Sequence, residues 1–228
     1  MDPARCVVLV PVGSRIEPPC ESALEELERR GYPVWRVPGG AAIDQVRSQL
    51  ATDALAAGFE ELMWIDSDTG FEADAVDMLR SHDLPVVSGI CVKKGQRALA
   101  CHVLPGTAKF ELGAGGGLEE ILYAGTGFLH TRRYVYEDIV KQEKLPVCNE
   151  RFGRTLIPFF LPLVVPEPDG GHWYLAEDYS FCERARRSGH AIHADTRFRL
   201  DHIGTYSYSW EDAGAEKPRF ASYTYRFN

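Results

Sequence analysis

The chain has 228 residues, with 25 Lys+Arg against 33 Asp+Glu and a formal net charge of −8. Its 45% hydrophobic and 25% charged content is that of an ordinary globular chain, which excludes disorder, collagen-like repetition and low complexity as the main state. The acidic balance argues against a protein that holds nucleic acid through its overall field.

The N-terminal stretch MDPARCVVLVPV enters an apolar run almost at once. It has neither a basic leader nor a cleavage site, so a first strand over residues 6–11 is expected rather than a signal peptide. A charged helix over 21–30 carries Leu24 and Leu27 on one face and is closed by Gly31. A strand over 34–37 follows. A helix over 42–57 then shows Ile43, Val46, Leu50 and Leu55 on one face, with Gly58 at its end. The pattern continues with a strand over 61–65, a helix over 73–80 and a strand over 85–91. Such alternation with short connections predicts parallel βαβ units.

Beyond Cys91 the pattern changes. Strands over 98–103, 109–112 and 119–123, parted by glycine turns, predict antiparallel additions to the sheet. A helix over 131–142 is expected next, then a long proline- and aromatic-rich loop over 145–171, the kind of segment that often forms a lid. A helix over 175–188 ends at Gly189, and short strands over 191–194 and 198–200 follow. The fold class predicted is α/β: a Rossmann-like mixed sheet, parallel in its N-terminal half, with helices on both faces.

Nothing here predicts a membrane span. The most apolar stretch, 156–166, is short of the roughly 20 residues a span needs and contains Pro158, Pro162 and Pro166. The six cysteines form no CxxC pair, so buried free thiols and a reducing, cytoplasmic setting are the expectation.

In open α/β sheets, ligands bind beyond the carboxyl ends of the strands. Three constellations stand there. Asp66-Ser67-Asp68 follows the apolar run Leu62 to Ile65. Two carboxylates so close repel unless a proton or cation intervenes, and a hard divalent cation suits oxygen ligands. A solvated turn is the plainer explanation, since Asp is common in turns. Glu177-Asp178 opens a helix, a place the helix dipole favours for acids whatever their role. Asp201-His202-Ile203-Gly204 follows a late strand, on a side that could face Asp68.

Taken in order, several segments resemble the GT-A glycosyltransferases, nucleotide-sugar-dependent enzymes with a Rossmann-like fold. They are VVLVPVGS, the helix with Asp44 and Arg47, LMWIDSDTGF, PVVSGICVKK, AGTGFLHTRR, LAEDYSFCERARRSGHAIHAD and LDHIG. The resemblance is family-two-like and spans roughly residues 6–208. It implies a single domain over 1–228, with a nucleotide-binding half (1–91), an acceptor and metal-completing half (92–205) and a tail (206–228).

For the site, the resemblance implies that Pro11, Val12 and Gly13, with Arg15 nearby, hold the nucleotide at the end of the first strand. Asp44 and Arg47 flank it. Asp66 turns toward ribose or the metal, and Asp68 and His202 bind the metal. Gly125, Thr126 and Gly127 form a turn close to the donor sugar. Glu177 and Asp178 are the acidic pair, with Asp178 in the base position of inverting members. The implied cofactor is Mn²⁺, or Mg²⁺, and the implied donor a UDP-sugar. The acceptor is a hydroxyl of unknown kind, on a glycan, protein, small molecule or modified nucleobase. There is no QxxRW element, which argues against a processive polymer synthase.

Three alternatives stand beside this reading. DSDTG begins like the D-x-D-x-T of haloacid-dehalogenase-type phosphatases, but Gly70 stands where that motif needs Thr or Val, and it follows the third strand rather than the first. A nucleotidyltransferase would share fold and metal but calls for a glycine- and basic-rich loop after the first strand. A non-catalytic nucleotide- or carbohydrate-binding module is the third. The pairs Lys93-Lys94 and Arg132-Arg133 read as solvated charge, or as contacts to a diphosphate or an anionic acceptor. The tail aromatics Tyr206, Tyr208, Trp210, Phe220, Tyr223, Tyr225 and Phe227 read as packing onto the domain, or as a surface that stacks on a sugar or base. The segment 149–171, with Arg151, Phe152 and Arg154, is expected to border the acceptor.

Overall fold

The computed structural model describes residues 1–40, 42–167, 169–214 and 222–227. Its first ninety residues follow the expected alternation: β1 (Cys6–Val12), α1 (Pro18–Arg29), β2 (Val34–Pro38), α2 (Ile43–Ala56) and β3 (Glu61–Ile65). A two-residue strand β4 (Thr69–Gly70), α3 (Asp74–Ser81) and β5 (Val86–Gly89) complete them. Pro18 opens α1, where its fixed φ suits the first turn and its missing N–H costs nothing. Gly58, at φ +90°, ends α2 in the left-handed conformation that favours glycine.

The next stretch contains β6 (Cys101–Val103), β7 (Lys109–Gly113), β8 (Leu118–Ala124), β9 (Phe128–Arg132) and α4 (Arg133–Glu143). Then come β10 (Leu163–Pro166), β11 (His172–Leu175), α5 (Glu177–Arg187), β12 (Ile192–Asp195), β13 (Asp201–Ile203), β14 (Ser207–Tyr208), α6 (Trp210–Ala213) and β15 (Ser222–Arg226). Among the described residues, eight strands form one sheet in the order β2-β1-β3-β9-β5-β12-β8-β6. β1 pairs in parallel with β2 and β3, and β5 with β12, while β9 and β8 run antiparallel to their neighbours.

The strands at the centre bury both faces. Val7, Leu9, Leu62 and Trp64 face one core with residues of α2, α4 and α5. Cys6, Val8, Val10, Met63 and Ile65 face the other with residues of α1 and α3. Period-two alternation therefore sorts apolar side chains between two cores, as in sheets covered on both sides. No helix among the described residues is long and apolar enough to cross a membrane. Cys6, Cys20, Cys101 and Cys182 are buried, Cys91 and Cys148 partly so, and all six are free thiols.

Four expectations need correction. Residues 131–132, expected to open the helix over 131–142, end the central strand β9 instead; α4 begins only at Arg133. The strand is buried yet carries His130, whose Nε2 meets Glu61 Oε2 (2.8 Å), and Thr131, whose hydroxyl donates to Leu62 O (3.1 Å). Those polar residues hide the apolar run that signals a buried strand. Residues 198–200 form no strand: Leu200 is buried in the second core with Phe198 packed against it, and the ladder begins at Asp201. The long loop over 145–171 contains β10, which pairs with β11 as a hairpin. The expected helix over 175–188 therefore starts only at Glu177. Arg132 and Arg133 are not solvated: Arg132 pairs with Asp83 (2.9 Å) and Glu61 (3.3 Å), and Arg133 donates to Phe59 O and Leu55 O at the end of α2.

In the tail, β15 pairs with β7, and Phe227 packs edge-on against Phe110. Phe220 and the side chain of Tyr223 lie outside the described residues.

Candidate active site

The D-x-D segment leaves the carboxyl end of β3 with its main chain tied down on every side. The Asp66 N–H donates to Gly127 O (3.0 Å) and the Thr69 N–H to Asp66 O (2.9 Å). The Glu17 and Ile203 N–H groups donate to Ser67 O (2.8 Å) and Asp68 O (2.7 Å). With the carbonyls of Asp66, Ser67 and Asp68 paired within the fold, both carboxylates are left to side-chain partners or a ligand.

Asp66 is held by α2. Arg47 Nη2 donates to Asp66 Oδ1 (2.9 Å), and Arg47 Nε lies 3.7 Å from Glu177 Oε1. Arg47 is only 4% exposed, and its Nε and Nη1 have no hydrogen-bond partner. Buried polar atoms are seldom left so. The Thr126 hydroxyl nearby is likewise buried and without a partner.

These groups line one pocket of about 160 Å³. Around it stand Arg47, Asp66, Thr69, Gly125, Thr126, Gly127, Glu177, Asp178 and His202, with Gly89, Cys91 and Ala100 completing the wall. A Cβ on Gly127 would stand 3.1 Å from Asp66 Oδ2, and one on Gly125 would stand 3.1 Å from Ala100 O. Either position would give a side chain no room without moving the site. The volume is below the roughly 300–1,000 Å³ of sites for drug-sized ligands. It suits one small polar ring rather than a whole nucleotide.

Glu177 and Asp178 open α5 at the pocket's edge. Burial, with the Glu177 carboxylate next to it, pushes the Asp178 carboxyl up to about 6. The Tyr179 N–H, which donates to Asp178 Oδ1 (2.7 Å), and Arg47 oppose this. Asp178 thus ionises near neutrality.

Asp68 and His202 approach each other through the short ladder in which β13 pairs with β4. His202 Nε2 lies 3.6 Å from Asp68 Oδ1. His202 Nδ1 lies 2.8 Å from Val92 O; a carbonyl only accepts, so Nδ1 carries the proton. In the neutral ring, Nε2 then turns a lone pair toward a carboxylate oxygen. Two lone pairs facing across 3.6 Å are the donor set of a divalent cation, whose ligands sit roughly 2.0–2.2 Å from it. The residues fit such an ion. Burial alone would raise the Asp68 carboxyl, but the charge of Lys94, and of His202 when its ring is protonated and donates from Nε2, holds it down at about 2.

Lys94, expected as solvated charge or as a contact to a diphosphate or an anionic acceptor, stands against Asp68. Its Nζ donates to Asp68 Oδ2 at 2.5 Å. The KK pair follows a strand end, the signal that could have drawn it into the site. Other candidates stand apart. Pro11, Val12 and Gly13 leave the end of β1, where Val12 O accepts from the Gly39 N–H (2.8 Å). Arg15 is exposed and pairs with Glu17 (2.9 Å). Asp44 lines a separate pocket of about 260 Å³ with Ser48 and Cys148. None of these five lines the 160 Å³ pocket. Among the described residues, the one trio of close His, Cys and acidic groups is Cys6, Glu61 and His130. It is buried at the amino ends of β1 and β3, away from the pocket, and Glu61 there is paired with Arg80 (2.8 Å).

The sequence matches no protein-family profile and no curated protein. Among solved structures, A197 from STIV aligns over 95% of this chain and 97% of its own, with a TM-score of 0.56 and 15% identity. That likeness is one of fold. Two further solved structures show weaker similarity: one is a glycosyltransferase involved in the glycosylation of the major capsid of PBCV-1 (TM-score 0.33, 15% identity, 58% of this chain and 62% of that one). The other is S. aureus TarS 1–349 (TM-score 0.39, 14% identity, 85% of this chain and 59% of that one).

Proposed function

We propose that the protein transfers a sugar from a nucleotide-diphosphate donor, a UDP-sugar, to an acceptor hydroxyl, with inversion. The observation that carries this reading is the small pocket in which Arg47, Asp66, Glu177, Asp178 and His202 converge beside the D-x-D. The sugar ring occupies it, and the unpartnered donors of Arg47 and Thr126 meet the ring's hydroxyls. The nucleotide lies outside, along Pro11, Val12, Gly13, Arg15 and Asp44, so that residues 1–91 form the nucleotide-binding half and 92–205 the acceptor and metal-completing half. Asp68 and His202 would hold Mn²⁺, or Mg²⁺, which when bound neutralises charge on the departing diphosphate.

Asp178 accepts the acceptor's hydroxyl proton as its oxygen bonds to the anomeric carbon. The bond from that carbon to the diphosphate oxygen breaks, and its electron pair leaves with the nucleoside diphosphate. A screen of nucleotide sugars with Mn²⁺, reading nucleotide release with and without acceptors, tests the reading. Release that needs one donor and one acceptor and stops in EDTA is the expected result. Full activity in EDTA would remove the metal, and no turnover with any donor would remove the transferase.

A further inference from the structure

The hairpin that follows β5 contacts both residues assigned above to a cation, each at its other polar atom. Its turn is short: the Lys93 N–H donates to Ala98 O (2.9 Å), and Val92 pairs with Leu99 as an isolated bridge. From this turn Val92 O fixes the His202 ring (2.8 Å), and Lys94 reaches Asp68. The lysine stem runs beside Gly204, where a Cβ would meet Lys94 Cδ, Cε and Nζ at 3.7–3.8 Å. Asp68 is therefore flanked on both oxygens, by Lys94 Nζ at Oδ2 (2.5 Å) and by His202 Nε2 at Oδ1 (3.6 Å).

We propose that Lys94 is the resident counter-ion of Asp68, which yields the carboxylate when a divalent cation arrives and then binds the diphosphate of the donor. The second half rests on the reading of this site as one for a nucleotide diphosphate. A lysine ammonium and a divalent cation a few ångströms apart on one carboxylate repel. Lys94 is about one-third exposed (34%), and a lysine carries its charge on a flexible four-carbon stem, so its ammonium can leave without disturbing the fold. A diphosphate beside the cation supplies the anionic oxygens the freed ammonium needs. Cation alone then binds against a penalty that cation with nucleotide does not pay. The two ligands are positively coupled, and the coupling is reciprocal.

Lys94→Ala and Lys94→Gln decide this without any turnover measurement. Mn²⁺ affinity is read from free-Mn²⁺ electron paramagnetic resonance, first alone and then with UDP; UDP affinity at saturating Mn²⁺ is read by calorimetry. Both variants should bind Mn²⁺ alone about tenfold more tightly than wild type, and UDP about tenfold more weakly, a change typical of coupled sites. The gain in Mn²⁺ affinity that UDP produces should shrink accordingly. If the wild type binds no Mn²⁺ and the variants do, the counter-ion is supported in its strongest form. Equal Mn²⁺ affinity in wild type and variants, including no binding by any of them, overturns the proposal. Tighter Mn²⁺ with unchanged UDP affinity overturns its diphosphate half. Mn²⁺ binding that survives Asp68→Asn overturns both halves. A protein that shows the coupling but turns over no donor refutes the transferase and leaves the counter-ion standing.

Discussion

Asp178 carries two costs that a single substitution separates. Its carboxyl sits near 6, raised by burial and by Glu177, against roughly 3.9 in an unfolded chain. The folded state is therefore favoured by protonation. The stability from the protonated form is whole below about 4, falls as pH climbs through 6, and stays lost above it. Asp178→Asn removes that loss, so its melting temperature should exceed wild type at pH 7 and match it at pH 4, by scanning calorimetry. The same variant should lower turnover by roughly 10²–10⁴-fold, the usual worth of acid–base catalysis, and wild-type turnover should rise with pH through about 6. An unchanged melting curve at pH 7 would show that burial does not burden this carboxyl. At this scale the sequence was informative about residue types: the D-x-D, the acidic pair and the late histidine were all visible as chemistry. What it could not carry was pairing across the fold, such as Arg47 on Asp66 or Lys94 on Asp68, because each joins residues from different elements.

Among the elements, the β10–β11 hairpin sets where α5 begins. Ser180, fully buried in the first turns of α5, accepts from the Leu163 N–H (2.9 Å) and donates to Leu175 O (2.9 Å). One hydroxyl thus joins the start of β10, the end of β11 and the helix that presents Glu177 and Asp178. Ser180→Ala leaves two buried backbone groups unmet and should cost about 1–3 kcal/mol. Denaturant melts give the cost, and amide exchange should quicken at Leu163 while β1 and β3 keep their protection. Equal protection at Leu163 would show that the hydroxyl is not what pins the hairpin. Elements with one apolar face and clear stops, α1 and α2 above all, could be read from periodicity. β9 could not, because His130 and Thr131 interrupt its apolar run and meet Glu61 and Leu62 only across the fold. β10 could not, because Val164 is 61% exposed and only Val165 is buried, leaving little alternation to read.

At the scale of the whole molecule, the amino ends of the strands are closed by a buried ionic cluster. Arg80 forms two hydrogen bonds to Glu61 (2.8 and 2.9 Å), donates a third to the Tyr32 hydroxyl (2.9 Å), and His130 meets the same carboxylate (2.8 Å). Burial alone would raise the Glu61 carboxyl, but Arg80 and His130 hold it well below the usual range. Its stabilising effect is thus present above the unfolded value of about 4.3 and is lost as pH falls below it. Glu61→Gln strands a buried guanidinium and should cost about 3–5 kcal/mol in denaturant melts at pH 7, with a shallower loss of stability in acid than wild type. A cost under 1 kcal/mol would show the cluster to be dispensable.

The pocket draws its walls from residues as far apart in sequence as Arg47 and His202. That spread has a consequence in time. Synthesis at roughly 5–20 residues per second puts on the order of ten seconds between the emergence of the two. Throughout that interval the early strands can pair, yet the chamber lacks its far wall. A nascent chain therefore lacks the complete chamber until the segment carrying His202 has emerged, and one interrupted before that point is released with the pocket open on one side.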